Sequence, residues 1–221
     1  MKQNETLSST QQNNGEPCYS IYNTPIRLDA FEVDDDTKIA QISTHFEKIM
    51  EILGLDLTDD SLKDTPHRVA KMYVKEIYSG LNPKNKPAIT LFENKYNYDE
   101  MLVEKDITFY SNCEHHFIPF YGKVHVGYFA NEEVVGLSKI NRIVQYFSKR
   151  PQVQERLTHQ IANALRKNLN TEHVAVVIDA THMCVASRGV GDTNSTTGTA
   201  YFSGKFDNKN IRKEFLNFIN N

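Results

Sequence analysis

The sequence predicts an α+β protein whose sheet is mainly antiparallel. Three observations lead there. Apolar residues recur every three or four positions between Thr37 and Gly80. From Val103 onward, Phe, Tyr, Val and Ile alternate with polar residues or cluster in short runs. After the N-terminal helices the segments follow in the order strand, strand, helix, helix, strand, strand, without an internal repeat.

Residues 1–36 are rich in Gln, Asn, Ser, Thr and Asp and lack periodicity, which reads as a flexible polar tail. Cys18 lies there beside Tyr19 and close to Tyr22, with no histidine or second cysteine near it in sequence. A helical region over 37–86 follows. Ile39, Ile42, Phe46, Ile49, Met50 and Leu53 form one stripe, and Gly54 closes it. Asp64-Thr65-Pro66-His67-Arg68 then starts a second helix, with Thr65 as N-cap and Pro66 in the first helical position. Val69, Met72, Tyr73 and Ile77 supply its apolar face, Gly80 ends it, and Asn82 to Pro87 is a linker.

Residues 87–221 carry the sheet and the chemistry. Val103 to Tyr110 and Phe117 to Phe129 read as two strands; in the second, His125 alternates with Val124 and Val126 and is expected on the polar face. Gly136-Leu137-Ser138 opens a helix through Ile140, Ile143, Val144 and Phe147, which Pro151 breaks after Arg150. Val153, Leu157, Ile161, Leu165 and Leu169 mark the next helix, and His173 to Ala180 a nearly continuous apolar strand. A Gly/Ser/Thr/Asp loop over 187–199, a strand over 200–206 and an amphipathic helix over 210–219 complete the chain.

Bulk properties narrow the function. The net charge of −3 provides no general basic field for nucleic acid. No apolar run approaches the ~18 residues that span a bilayer, and Met1 to Glu16 lacks the apolar core of a secretory signal. Three scattered cysteines make no disulfide framework, so a reducing cytoplasm is expected.

Ser111-Asn112-Cys113-Glu114-His115-His116 gathers a thiol, a carboxylate and two imidazoles, and Thr181-His182-Met183-Cys184 adds an imidazole and a thiol downstream. Thiolate and imidazole are zinc's preferred ligands. Cys113 and His116 can share a metal only where the chain turns; His182 and Cys184, at i and i+2, would share one face of a strand. Cys184 as third ligand would leave a fourth position for water, as catalytic zinc requires. The bland alternative is a pair of buried cysteines with histidines satisfying backbone groups. Cations also stand where a helix dipole disfavours them: Arg68 in one first turn, Lys139 and Arg142 beside Ser138 in another, with Arg188 four residues past Cys184. Each alone is ordinary surface; together they point to a polyphosphate. Gln154-Glu155 opens a helix, where a carboxylate suits the dipole or could accept two parallel hydrogen bonds from a guanine edge.

With these blocks assembled, the chain from about Thr37 onward resembles GTP cyclohydrolase I. The resemblance rests on Thr65-Pro66-His67-Arg68-Val69-Ala70, Cys113-Glu114-His115-His116, Gly136-Leu137-Ser138-Lys139, Gln152-Val153-Gln154-Glu155-Arg156-Leu157, and Thr181-His182-Met183-Cys184 with Arg188-Gly189. It implies conversion of GTP and water to dihydroneopterin triphosphate and formate, the first step toward folate-type or biopterin cofactors. It places zinc on Cys113, His116 and Cys184, and proton handling on His115 and His182. Base reading falls on Glu155 with Gln154, and phosphate holding on Arg68, Ser138, Lys139, Arg142 and Arg188. The implied architecture is the tunnelling fold, an antiparallel sheet with two helices on one face whose open edges join copies into a barrel. The usual assembly is a homodecamer of two pentameric rings with sites between subunits. Gly198, Ala200 and Tyr201 depart from a stretch often richer in Thr and Ser. The rival readings are a zinc-stapled scaffold without activity, and a tunnelling-fold enzyme for another purine-like substrate.

Overall fold

A computed structural model describes residues 23–220. The elements run α1 (Asp35–Ile52), α2 (Thr65–Met72), β1 (Leu91–Glu93), β2 (Met101–Cys113), β3 (Pro119–Phe129), β4 (Glu133–Val135), α3 (Leu137–Ser148), β5 (Pro151–Gln152), α4 (Gln154–Leu169), β6 (Val174–His182), α5 (Met183–Ala186), β7 (Thr197–Phe202) and α6 (Lys209–Asn220). Cys18, Tyr19, Tyr22 and most of the expected tail lie outside the described residues.

The N-terminal helices start earlier than the apolar spacing suggests. α1 begins at Asp35 because Asp34 caps it, its carboxylate accepting from the Thr37 backbone N at 2.9 Å and the Thr37 hydroxyl at 2.9 Å. Asp35 and Asp36 then sit at the positive end of the dipole. In α2 the cap position is Asp64, and Thr65 is already helical ahead of Pro66. Beyond Met72 the chain widens into a π turn and then a 3₁₀ turn over Ser79–Leu81, so Gly80 does not terminate α2. Gly80 is needed for close approach: its N–H donates to the Lys149 carbonyl at 2.9 Å, and a Cβ there would lie 2.0 Å from the Tyr146 carbonyl oxygen.

Five strands form the main sheet in the order β5-β2-β3-β6-β7, antiparallel except for the short parallel pair β5–β2. Pairing is thus mainly antiparallel as expected, in a mixed sheet. β1 and β4 make a separate two-stranded ribbon, too short to stand out in the apolar pattern. Val124, Val126 and Tyr128 on β3 meet Ile140, Ile143 and Val144 of α3 and Leu157, Ile161 and Leu165 of α4 in the main core. The other face is partly covered by α6, whose Phe215 packs with Met101, Phe129, Ala175 and Phe206. Gly127 admits that ring; a Cβ would lie 2.8 Å from Phe215 Cδ2. β7 starts at Thr197, so Gly198 belongs to a strand paired with β6 and not to the preceding loop.

His125 does not line a solvated face as its alternation suggests; it is buried. β2 bulges between Glu104 and Ile107, with Asp106 at φ 61°, and the N–H that the bulge frees donates to His125 Nδ1 at 3.2 Å. Burial holds the His125 pKa below its ordinary value. Asp106 and Asp179 oppose that shift, and Lys105 and Lys123 add to it.

A histidine whose folded-state pKa is depressed contributes full stability above its unfolded value of ~6.5 and less as pH falls below it, because only the unfolded chain takes up the proton. Melting temperature is therefore expected to fall between about pH 7 and about pH 5, and His125→Gln, which can still accept from Asp106, to flatten that slope. Thermal melts that keep the same slope in the variant would contradict this.

Candidate active site

The two donor-bearing segments meet because of strand register. Asn112 pairs with Pro119 across the β2–β3 turn, and Phe120 pairs with His182 on β6, which puts the turn and the end of β6 at one end of the sheet. Cys113 N donates to the Ile118 carbonyl at 2.9 Å and Phe117 N to the Cys113 carbonyl at 2.8 Å. Phe117 takes a left-handed φ of 55°, and this reversal carries Cys113 and His116 to the same side. β6 ends at His182 and the chain enters the helical turn α5, so Cys184 comes from that turn and does not share a strand face with His182.

The donor atoms of Cys113, His116 and Cys184 all lie within 4.8 Å of one another. Cys113 Sγ is 3.8 Å from His116 Nδ1. Ligand atoms ~2.0–2.3 Å from one tetrahedral zinc stand about 3.5–3.8 Å apart, so small adjustments bring these three donors onto one ion. Burial, and then the adjacent Cys113, push the Cys184 thiol above its ordinary value, while Arg188 acts in the opposite direction. A cation between the sulfurs relieves that cost, so two thiols, one imidazole and one open position suit zinc. His115 is exposed, with Nδ1 3.7 Å from Cys113 Sγ, and is not one of the three mutually close donors.

His182 is held on two sides. Its ring stacks on Phe120 with centroids 4.6 Å apart, and its Nε2 lies 2.8 Å from Gln154 Oε1. Gln154 Nε2 donates to the Ile178 carbonyl at 3.2 Å, the Thr197 carbonyl at 2.7 Å and the Thr199 hydroxyl at 3.1 Å. Oε1 can only accept, so His182 donates from Nε2 and keeps Nδ1 for other partners. Burial lowers the His182 pKa, and the nearby Glu155 carboxylate opposes that shift. Gln154 is buried with its amide fully engaged, whereas Glu155 is exposed. The stacking of Phe120 and the tethering by Gln154 join residues far apart in sequence, which no local spacing reveals.

Cys113, His115, His116, Gln154, Glu155, His182, Cys184 and Arg188 therefore gather at one end of the sheet. Ser138, Lys139 and Arg142 do not. They open α3, whose Asn141 donates to Glu104 at 3.2 Å and whose Gln145 donates to the Thr108 carbonyl at 2.8 Å. At ~3.3 Å per residue, Glu104 stands up to about 30 Å along β2 from Cys113. Arg68 lies on α2, where its guanidinium donates to the Ser61 carbonyl at 3.0 Å and the Thr65 hydroxyl at 3.4 Å.

The chain is similar to known proteins. The family described as GTP cyclohydrolase I matches residues 42–220. A protein named GTP cyclohydrolase 1 from Flavobacterium johnsoniae is 56% identical over 195 residues, covering 88% of this chain and 87% of its own. One of the same name from Citrobacter koseri is 53% identical over 197 residues, 89% of each chain. The solved structure of the archaeosine synthase QueF-Like in its apo form aligns at a TM-score of 0.42 and 16% identity, over 49% of this chain and 97% of that one.

Zinc titration of the metal-free chain should reach about one ion per chain. Cys184→Ser and His116→Ala should lose it and His115→Ala should keep it. Elemental analysis finding stoichiometric zinc in Cys184→Ser would remove that thiol from the donor set.

Proposed function

The chain belongs to the GTP cyclohydrolase I family, and on that premise we propose that it converts GTP and water to 7,8-dihydroneopterin 3′-triphosphate and formate. C8 of the purine leaves as formate, and the opened ribose, still bonded to N9, closes onto the amine freed at N7 with loss of water. The observation that carries the reading is the convergence of Cys113, His116 and Cys184 within 4.8 Å, beside Glu155 and two further histidines.

Cys113, His116 and Cys184 would hold zinc, which when bound would supply Lewis acidity and make a water acidic enough to ionise at pH ~7. Glu155, exposed at the start of α4, accepts from the guanine N1–H and exocyclic amine and sets the purine in register. His115 delivers a proton to N7 as the imidazole ring opens. His182, its Nε2 committed to Gln154, works through Nδ1 in the later proton transfers of the ribose. Arg188 meets the triphosphate on this side of the site.

The remaining phosphate-holding residues come from other copies of the chain. Ser138, Lys139, Arg142 and Arg68 hold phosphate on the neighbouring subunit's site, which accounts for the distance between α3's start and Cys113. Two features support assembly. Among the described residues, β2 is paired on its outer margin only at Asn112 and Cys113 and β7 is paired on one side only, with β6, so the sheet can continue from copy to copy as in the tunnelling-fold barrel. Ile49, Ile52 and Leu53 leave an apolar end of α1 exposed, as a further contact between copies would use. A homodecamer in the cytoplasm is the assembly we assign. Among the described residues, no helix is long and apolar enough to cross a membrane.

Incubating the zinc-loaded chain with GTP should release one formate per pterin formed, read by formate assay and product fluorescence. Purine left intact would overturn the assignment. His115→Ala should lower kcat by ~10²–10⁴-fold with KM for GTP little changed. A variant of undiminished kcat would take His115 out of the proton path.

A further inference from the structure

Glu114 sits inside the donor turn without being a donor. Its carboxylate meets Arg156 in a two-pronged contact, Nη1 to Oε2 at 2.5 Å and Nη2 to Oε1 at 3.1 Å. The side chains are 24% and 13% exposed, so the pair is largely shielded from water. Arg156 occupies the first turn of α4, where the dipole disfavours a cation; the pairing with Glu114 offsets that cost. The same short stretch holds the rest of the site. The Gln152 carbonyl accepts from Glu114 N at 3.0 Å, Gln154 holds His182, and Glu155 precedes Arg156 directly.

We propose that the Glu114–Arg156 pair is a positioning clamp that locks the Cys113–His116 turn onto the start of α4. It holds Cys113 and His116 toward Cys184 before any metal arrives, and it sets the donor group's distance from Glu155. This rests on the zinc and GTP reading above and adds two positioning residues to it. The geometry calls for arginine. A guanidinium fork engages both carboxylate oxygens and so fixes the turn's orientation, whereas lysine supplies only a point charge.

The test compares the full-length chain with Glu114→Gln, Arg156→Met and Arg156→Lys. Three quantities are read: zinc affinity by chelator competition, kcat and KM for GTP at saturating zinc, and the rate at which diamide closes a Cys113–Cys184 disulfide in metal-free protein. In that closure each thiol loses its proton, the S–S bond forms, and diamide takes up the two electrons and two protons. Glu114→Gln and Arg156→Met should each weaken zinc binding ~10–100-fold, the range found for outer-shell partners of metal ligands. Disulfide closure should slow severalfold and kcat should fall more than KM rises, with Arg156→Lys intermediate. Zinc affinity and closure rate matching the unsubstituted chain in all three variants would overturn the clamp. So would losses that merely track a drop in melting temperature. Should the unsubstituted chain bind no zinc and leave GTP intact, the functional reading fails, and closure rates still decide whether the pair orders the turn.

Discussion

Strand register is the constraint on which the rest of this molecule depends. Phe120 must face His182, and Asn112 must face Pro119, for a β-turn and the end of a distant strand to bring their donors together. Side chains on a strand alternate between faces, so a slip of one residue would turn His182 away from Phe120 and expose the core face of β3. The register is held by that core. Val124, Val126 and Tyr128 are buried beneath α3 and α4, and Gly127 is spaced for Phe215 on the opposite face. The apolar pattern that folds the sheet thereby also assembles the metal-donor group.

α4 connects this scaffold to the chemistry. Three consecutive side chains of its first turn go three ways: Gln154 inward to His182, Glu155 outward to solvent, and Arg156 across to Glu114. A helix is stiff, so groups anchored on one turn keep their spacing. The donor turn is tied to it through Glu114 and Arg156, and the end of β6 through His182 and Gln154. Among the described residues, the cations that open α3, Lys139 and Arg142, stand toward the opposite end of β2 from the donors. That separation is what the proposed association of copies answers.

Much of this was legible in the sequence. The order of the main helices and strands and the mainly antiparallel pairing follow from residue types and spacing; spacing offers Cys113 and His116 with Cys184 as candidate donors, and it is the fold that brings their donor atoms within 4.8 Å. Boundaries were displaced where a side chain outweighed the apolar pattern, as when Asp34 caps α1 ahead of Thr37. His125 was misplaced because alternation assumes a regular strand, and the bulge at Asp106 supplies a buried N–H that needs an acceptor. The placement of Cys184 on a helical turn was hidden for the same reason, since i and i+2 share a face only while the strand lasts. The Glu114–Arg156 pair and the Gln154 tether join segments through tertiary folding, and no local rule pairs them.

X-ray absorption at the zinc edge of the zinc-loaded protein tests the central claim most directly. The account predicts two sulfur ligands at ~2.3 Å and two lighter nitrogen or oxygen ligands at ~2.0–2.1 Å. A shell without sulfur, or with one sulfur only, would mean that Cys113 and Cys184 do not share the ion, and the convergence on which the account rests would be wrong.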